Sequence, residues 1–328
     1  MAQLETIAPD EAERFEALAQ KLVAALAREP DGRTLHLRQH GNVTGTLQVT
    51  QVEGALAQGL FARPGTYETY VRFSAGSPRR QADKVPDIRG LAVKVYGVDG
   101  PKVIPGLEAA RTQDFLCIPS STFAFPTPEE FIDVALAGAG GPLKILGAII
   151  KHEGFFKGLK RAGQLKSALD STGESLGHRT FHTAVPILFG ETAAKVRFRG
   201  LQADGPRDIG KVTEELHARL KAGPLRYALE AQAFVDQTQT PIEHPEVEWS
   251  SPWQALGTLE IPATDVASPR GQAIAAYVES LSFDPWHALK EHRPLGPIMR
   301  ARGPAYRVST MRRKARPELE VVAPSQVA

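Results

Sequence analysis

Residues 66–74 alternate between two sets of side chains, and this alternation constrains the fold more than any other feature. One face of an extended chain would carry Tyr67, Thr69, Val71 and Phe73. Further runs of strand character occur at 33–39, 43–52, 88–97 and 113–118, the first two separated by the turn-like link His40-Gly41-Asn42. Antiparallel strands with a turn every ten or so residues predict a barrel or a sandwich.

Later in the chain, strand character returns and helices join it. Strands are predicted at about 180–200, 225–236 and 255–262. Thr127, Pro128 and Glu130 form the start of a capping box. Helices are predicted at 9–28, from Pro128 to about Ala137, over 142–170 and 209–221, and from 297–304 to 314. We therefore predict one α+β domain over residues 1–328, an antiparallel barrel of about eight strands with helices packed outside. An N-terminal helix would occupy 1–30, and the tail at 315–328 would be loose.

Composition narrows the function classes. The chain has 328 residues, 42% of them apolar, and a net charge of +2, which gives no reason to expect a nucleic-acid partner. The single cysteine, Cys117, lies in an apolar run and is interpreted as buried filler in a reducing compartment. The first residues lack the features of a signal peptide, and no apolar run is long enough to cross a membrane. We expect a cytoplasmic protein.

One cationic amphipathic segment occupies residues 144–166. It could contact a membrane or a fatty substrate. We favour the simpler interpretation, a helix packed on the barrel with its lysines in water, so membrane contact is not expected.

Three residues near the C-terminus have a spacing with chemical meaning. Arg302, Tyr306 and Arg313 stand at i, i+4 and i+11. On a helix these positions lie within about 40° of one another, so the three side chains would share a face. A cation within ~4–6 Å of a phenol favours the phenolate anion. Tyrosine is the proximal iron ligand in one class of haem enzyme, although this spacing also arises by chance in many helices.

His36 and Ser74 are candidates for the opposite side of such a site. If 33–39 is a strand, His36 points with Thr34 and Arg38, away from Leu35 and Leu37. A histidine there is most often a hydrogen-bonded core residue. Ser74 ends the alternating strand, where its hydroxyl could fix the tautomer of a neighbouring imidazole or simply make a turn bond.

Four motifs in order resemble the haem catalases. They are Arg33-x-x-His36, Val71-Arg72-Phe73-Ser74, the run from Asp87 to Tyr96, and Arg302-x-x-x-Tyr306 with Arg313. The run FDPWHALKEHRPLG before the last helix is similar to the short catalase-related proteins, the minimal catalases or catalase-like peroxidases. The similarity covers roughly residues 30–315.

The resemblance implies a haem b cofactor and a role for each matched residue. His36 would be the distal catalytic histidine, and Ser74 would orient it. Tyr306 would be the axial ligand of the haem iron, with Arg302 as its charge partner. The remaining matches, to arginines that bind the haem propionates and to the phenylalanine that packs on the distal haem face, are Arg33, Arg72, Arg313 and Phe123.

The implied activity is that of a haem oxidoreductase acting on hydrogen peroxide or organic hydroperoxides. Large catalases have a distal asparagine where this chain has Ala110 or Arg111, with Thr112 or Gln113 as substitutes. We therefore expect peroxidase activity with a small organic donor and weak catalase activity. The alternatives are a fatty-acid hydroperoxide isomerase or lyase and a haem-binding protein without turnover. The resemblance does not imply that this chain forms the tetramer of large catalases, and the sequence leaves open whether it forms a homodimer.

Pro304 interrupts the Arg302–Tyr306 spacing. Because proline suits only the first turn of a helix, we expect the last helix either to start near Pro304 or to kink there.

Overall fold

The structure, a computed structural model, describes residues 4–27, 29–138, 141–170, 175–202 and 211–327. Within these residues a single antiparallel sheet contains nine strands, in the spatial order β4-β3-β2-β1-β9-β8-β7-β5, with β6 paired to β7. The strands are β1 Gln39–Val49, β2 Gly65–Ala75, β3 Arg89–Tyr96, β4 Thr112–Cys117, β5 Thr180–His182, β6 Ile187–Phe189, β7 Thr192–Gly200, β8 Leu225–Ala233 and β9 Trp253–Ile261.

The sheet curls into a nearly closed barrel of eight strands. At the seam, Ile118 follows β4 and forms an antiparallel bridge with His182 of β5. The Ile118 amide donates to the His182 carbonyl at 2.8 Å, and the His182 amide donates back at 2.7 Å. This pair joins the two ends of the sheet, so edge groups that would otherwise be unpaired find partners. The predicted α+β barrel with outer helices is confirmed.

The alternation in β2 separates inside from outside as predicted. Val71 and Phe73 are fully buried in the barrel interior, and Tyr67 packs against the same core. Tyr70 points the other way and packs under Val278 of an outer helix. Each face of β2 is therefore covered, one by the core and one by a helix.

Seven helices lie around the barrel in the described part of the chain. They are α1 Glu11–Leu26, α2 Pro128–Ala137, α3 Pro142–Glu153, α4 Phe155–Asp170, α5 Val212–Ala222, α6 Pro269–Ser280 and α7 Pro297–Arg312. Residues 28 and 209–210 of the predicted helices lie outside the described residues. Thr127 caps α2 by accepting a hydrogen bond from the Glu130 amide, as expected. None of the described helices is both long and apolar enough to cross a bilayer.

Helix α6 was not predicted from the sequence. It begins with a capping Ser268 followed by Pro269 at the first helical position. The same combination was recognised at Thr127–Pro128, so the signal was present. The helix matters because its last turn reaches the candidate site.

The first strand corrects two predictions. His40, Gly41 and Asn42 are part of the continuous strand β1, which absorbs a register shift between Gln39 and Gly41. Residues 33–38 form no strand, and His36 has a φ of +54°. Arg33, Thr34, Leu35 and His36 all line one cavity, so the predicted alternation of their side chains is wrong.

Helix α7 includes the position of the proline. It begins at Pro297 and includes Pro304 in its interior. Of the two predicted outcomes, a helix start near Pro304 is therefore wrong, and a kink at Pro304 stays a prediction. Pro297 occupies the favoured first position instead.

The tail also differs from expectation. Glu318 is buried, and its carboxylate meets the ammonium of Lys94 of β3 at 2.5 Å. Val321 and Val327 join the apolar cluster that contains Tyr70. Residues 315–327 are thus packed against the outside of β3 and β2 rather than loose.

Candidate active site

All eight residues singled out from the sequence line one cavity of about 430 Å³. The cavity lies between the barrel and helices α1, α2 and α7, and most of its wall is apolar, as in typical sites for small molecules and cofactors. The eight residues are Arg33, His36, Arg72, Ser74, Phe123, Arg302, Tyr306 and Arg313. Their side chains come from segments far apart in sequence, which only the closed fold brings together.

His36 is held at both its backbone and its ring. Its amide donates to the Gly76 carbonyl at 3.0 Å, and its carbonyl accepts from Nη2 of Arg72 at 2.9 Å. These bonds stabilise a positive φ of 54°, which is uncommon for a residue other than glycine. The ring Nδ1 lies 2.9 Å from Oγ of Ser74.

Gly90 of β3 makes room for this pair. A Cβ at position 90 would lie 2.8 Å from Cε1 and Nδ1 of His36 and 2.8 Å from Oγ of Ser74. Side chains do not approach that closely, so any larger residue would displace the imidazole or the hydroxyl. The β3 backbone therefore helps to fix the ring orientation.

The surroundings of His36 keep its imidazole neutral. Burial, followed by the nearby cations Arg72, Arg302 and Arg33, lowers the pKa of His36 to about 3. A neutral ring with Nδ1 bonded to Ser74 leaves Nε2 able to take up a proton.

Two arginines of the cavity, Arg72 and Arg33, pair with one carboxylate, and Arg313 lies beside them. Nε of Arg72 lies 3.1 Å from Oε2 of Glu279, and Nε of Arg33 lies 3.4 Å from its Oε1. Arg33 and Arg313 also donate to the carbonyl of Leu281, at 2.9 and 2.5 Å. Burial would raise the pKa of the Glu279 carboxyl, but Arg72 and Arg33 outweigh burial and lower the value to about 2.

This cluster carries more positive than negative charge. Among the described residues, Glu279 is the one carboxylate within salt-bridge distance of Arg33 and Arg72, while Arg313 donates to the backbone carbonyl of Glu279 at 3.3 Å. Burial, together with Arg72 and Arg313, lowers the pKa of Arg33 well below its usual value. The buried Nε of Arg33 also lacks a hydrogen-bond partner. Three cations against one anion leave an excess of two positive charges at the rim of an apolar cavity, which suits a ligand with two carboxylates.

On α7, Arg302 binds the phenol of Tyr306. Nη2 of Arg302 lies 2.9 Å from the phenolic oxygen, and the guanidinium carbon lies 5.3 Å from the ring centroid. This charge-assisted hydrogen bond fixes the position of the phenolic oxygen at the cavity wall. Gly303, between them, lets the helix approach Trp286, whose Nε1 would lie 3.2 Å from a Cβ there.

Phe123 forms the α2 side of the cavity with other aromatic rings. Its centroid lies 5.3 Å from that of Phe131 and 5.9 Å from that of Phe125. Phe131 also lines the cavity, so this wall is a rigid aromatic surface.

The candidate substitutes for a distal asparagine are placed elsewhere. Arg111 pairs with Asp99 on the surface, Thr112 donates to Glu318, and the Gln113 side chain accepts from the Leu289 amide. Neither these residues nor Ala110 line the cavity, and the described residues that do line it include no asparagine or glutamine.

Sequence reasoning missed Glu279 and Ala184. Glu279 lies on α6, a helix that was not predicted, and it belongs to no sequence motif. Ala184 lines the cavity with a φ of +62°, a conformation that no sequence pattern indicated. Cys117, interpreted as filler, does line the cavity, but burial raises the pKa of its thiol.

A second cluster of titratable groups lies outside the cavity. Asp114, His287 and Glu318 place ligand atoms within 4.8 Å of one another, as a metal site would. Lys94 occupies their centre, with Nζ 2.8 Å from Asp114 and 2.5 Å from Glu318. The cluster is therefore a buried salt-bridge network that holds the tail.

No protein-family model matches the chain. The sequence is 28% identical over 303 residues to a catalase-related peroxidase from Mycolicibacterium paratuberculosis, covering 86% of this chain and 88% of that protein.

Solved catalases share the fold. Catalase A from Saccharomyces cerevisiae aligns with 95% of this chain at a TM-score of 0.67 and 13% identity. A fungal catalase aligns with 99% at 0.65 and 14% identity, and a bacterial catalase with 96% at 0.64 and 15% identity. The chain spans 66%, 67% and 62% of the lengths of these three proteins.

Proposed function

We propose that the chain belongs to the catalase-like superfamily and is a haem-dependent peroxidase of the short, catalase-related branch. Its substrates would be hydrogen peroxide or organic hydroperoxides, and a small organic molecule would donate the electrons. The reaction would take place in a single domain spanning residues 1–328.

One observation carries the proposal: residues from distant segments that match the catalase motifs line a single cavity. Arg33 and His36 precede β1, Arg72 and Ser74 lie in β2, Arg302 and Tyr306 lie in α7, and Arg313 follows it. A chance match of short motifs gives no reason for this convergence.

The cavity suits haem b in two respects. Its aromatic and aliphatic wall fits a flat apolar ring, and the excess positive charge of Arg33, Arg72 and Arg313 fits two propionates. Tyr306, held by Arg302, is the residue that would bind the iron, and Phe123 would pack against the ring on the histidine side. Bound haem would supply the redox chemistry that couples reduction of the peroxide to oxidation of the donor.

His36 would act as the acid–base group. Its neutral imidazole can take a proton from the incoming peroxide at Nε2 and return it to the leaving oxygen as the O–O bond breaks. For Nε2 to be the acceptor, Nδ1 must carry the hydrogen and donate it to Ser74. Ser74 and Gly90 would thus position His36, and Arg302 would hold the phenolic oxygen of Tyr306 in place.

The lack of an amide side chain in the described cavity wall bears on selectivity. Without that donor, a small peroxide would be held loosely beside His36. We therefore propose that oxidation of an organic donor is the main activity and that decomposition of hydrogen peroxide is slow.

A spectrum of haem-loaded protein before and after peroxide tests the proposal. The wild type should show a Soret band that changes on adding peroxide, and Tyr306→Phe should lose the tyrosinate-type spectrum. Tyr277→Phe, which removes a phenol on α6 that does not line the cavity, is the matched control.

The spectrum, together with product analysis and a turnover assay, separates the alternatives. A Soret band unaltered by peroxide would indicate haem binding without turnover, and rearranged products from a lipid hydroperoxide would indicate an isomerase or lyase. Turnover of hydrogen peroxide at the rate of a large catalase would refute the proposed peroxidase preference.

A further inference from the structure

Helix α4 presents three large apolar side chains to water. Phe155 is 59% exposed, Phe156 is 84% exposed and Leu159 is 45% exposed. On a helix these positions fall within about 100° of one another, so they form one stripe. The two phenylalanine rings contact each other edge to face, with centroids 5.5 Å apart. Clustered apolar exposure of this kind marks an interaction surface.

The face of α4 next to this stripe is already packed. Gly158 is buried, and a Cβ there would lie 2.9 Å from Cγ1 of Ile150, so α4 lies close against α3. Ala162 and Leu165 pack against the cluster around Ile149. Because α3 covers only this neighbouring face, the stripe extends the apolar surface of α4 beyond the part that is packed, and an apolar helix face is normally covered.

Lysines border the exposed stripe. Lys157 and Lys160 are exposed, while Arg161 is paired with Glu153 on α3. The sequence Phe155–Asp170 contains four cations, at 157, 160, 161 and 166, and its one acidic residue is the last. The stripe is therefore an apolar surface with a cationic border, which fits an anionic partner.

The charges on α4 distinguish two candidate partners for the exposed stripe, a second copy of the chain and an anionic membrane. In a twofold dimer built on this face, each stripe would meet its own copy and set lysines against lysines. An anionic bilayer uses both features, because phenylalanine and leucine enter the headgroup boundary while lysines bind the lipid phosphates. In contrast to the expectation from the sequence, we propose that α4 docks the protein on the surface of an anionic membrane. This inference is independent of the proposed function.

Docking would also place the cavity near the lipid. Phe131, which lines the cavity, packs in the same apolar cluster as Ile145 of α3 and Leu165 of α4. The aromatic cavity wall is thus one helix layer away from the exposed stripe.

Sedimentation with vesicles tests the proposal on the full-length protein. Vesicles of phosphatidylcholine with a minority of phosphatidylglycerol should bind the protein, and vesicles of phosphatidylcholine alone should bind it far more weakly. Lys157→Glu with Lys160→Glu should weaken binding by at least about 25-fold, since each lysine contributes roughly fivefold. Phe155→Ser with Phe156→Ser should weaken it by more than about tenfold.

Two controls keep the outcome decisive. Val235→Ser, which alters a side chain 52% exposed outside α4, should bind as the wild type does. Circular dichroism checks that each variant is folded. Equal binding of the wild type and both α4 double variants would overturn the proposal. So would a dimer in sedimentation velocity that the phenylalanine variant abolishes, because the stripe would then bind a second copy.

Discussion

Oε2 of Glu279 lies 3.1 Å from Nε of Arg72, so a carboxylate of the protein already occupies part of the arginine cluster beside the cavity. A bound ligand with two carboxylates would share these arginines with Glu279. The excess of two positive charges means that the cluster can accept such a ligand without displacing Glu279.

Glu279→Gln should therefore change how the protein responds to a dicarboxylic porphyrin. The empty variant should be less stable than the wild type, because removing one partner leaves buried guanidinium groups unpaired. The free acid of a metal-free porphyrin should then raise the melting temperature more in the variant than in the wild type. Thermal unfolding with and without the porphyrin measures this difference.

The dimethyl ester of the same porphyrin is the control. It lacks the carboxylates, so its effect on the melting temperature should be the same for both proteins. A larger stabilisation of the variant by the ester would show that the arginines do not act through carboxylates.

The pH dependence of the reaction with peroxide should reflect the neutral state of His36. Its pKa of about 3 in the folded protein means that the base form persists as pH falls from 8 to about 5. Carboxylates bound at Arg72 and Arg33 would weaken the effect of these cations, but burial, the larger cause, remains. Stopped-flow rates should thus show no inflection near pH 6.5, the value for an exposed histidine.

His36→Gln should lower that rate by about 10²–10⁴-fold. His244→Gln is a suitable control because the His244 side chain is 66% exposed. An unchanged rate in His36→Gln would remove His36 from the acid–base role.

Gly90→Ala should disturb the ring of His36 while leaving the rest of the cavity in place. The added methyl group would meet His36 and Ser74 at 2.8 Å, so the imidazole must shift. A misplacement of about 1 Å can cost up to ~10²-fold in rate. The Soret band should persist while the rate with peroxide falls. Gly147→Ala, where nothing lies within 4 Å of the new methyl, should leave the rate unaltered.

Glu318→Ala should destabilise the fold by about 3–5 kcal/mol, because it removes one of two carboxylates from the buried ammonium of Lys94. Glu320→Ala, an exposed neighbour in the same short 3-10 helix, should have little effect. Urea unfolding of both variants measures the difference. Equal stabilities would mean that the tail contributes little to the fold.

The barrel could be predicted because its signal is local and repeated. Alternation in residues 66–74 gives β2 its two faces, and strands of similar spacing follow. The placement of Tyr306 beside Arg302 was also accessible, since four residues span one helical turn.

Other features depend on tertiary contacts that no local pattern records. The segment 33–38 has strand-like composition, yet bonds to Gly76 and Arg72 hold His36 at a positive φ. The role of Glu279 depends on Arg33 and Arg72, and that of the buried Glu318 depends on Lys94. These partners are distant in sequence, so no local pattern shows either role. Pro304 was expected at a helix start or a kink, but the helix begins at Pro297, and its packing against α1 is a tertiary contact that the local sequence does not show.

The seam at Ile118 and His182 has a consequence for how the polypeptide reaches this shape. This bridging pair and the ladder between β1 and β9 are the two places where the strands made early in translation meet the strands made later. The barrel can therefore close only after β5–β9 have been synthesised. A chain that stalls after β4 would expose the unpaired edge of β4, to which another chain could bind.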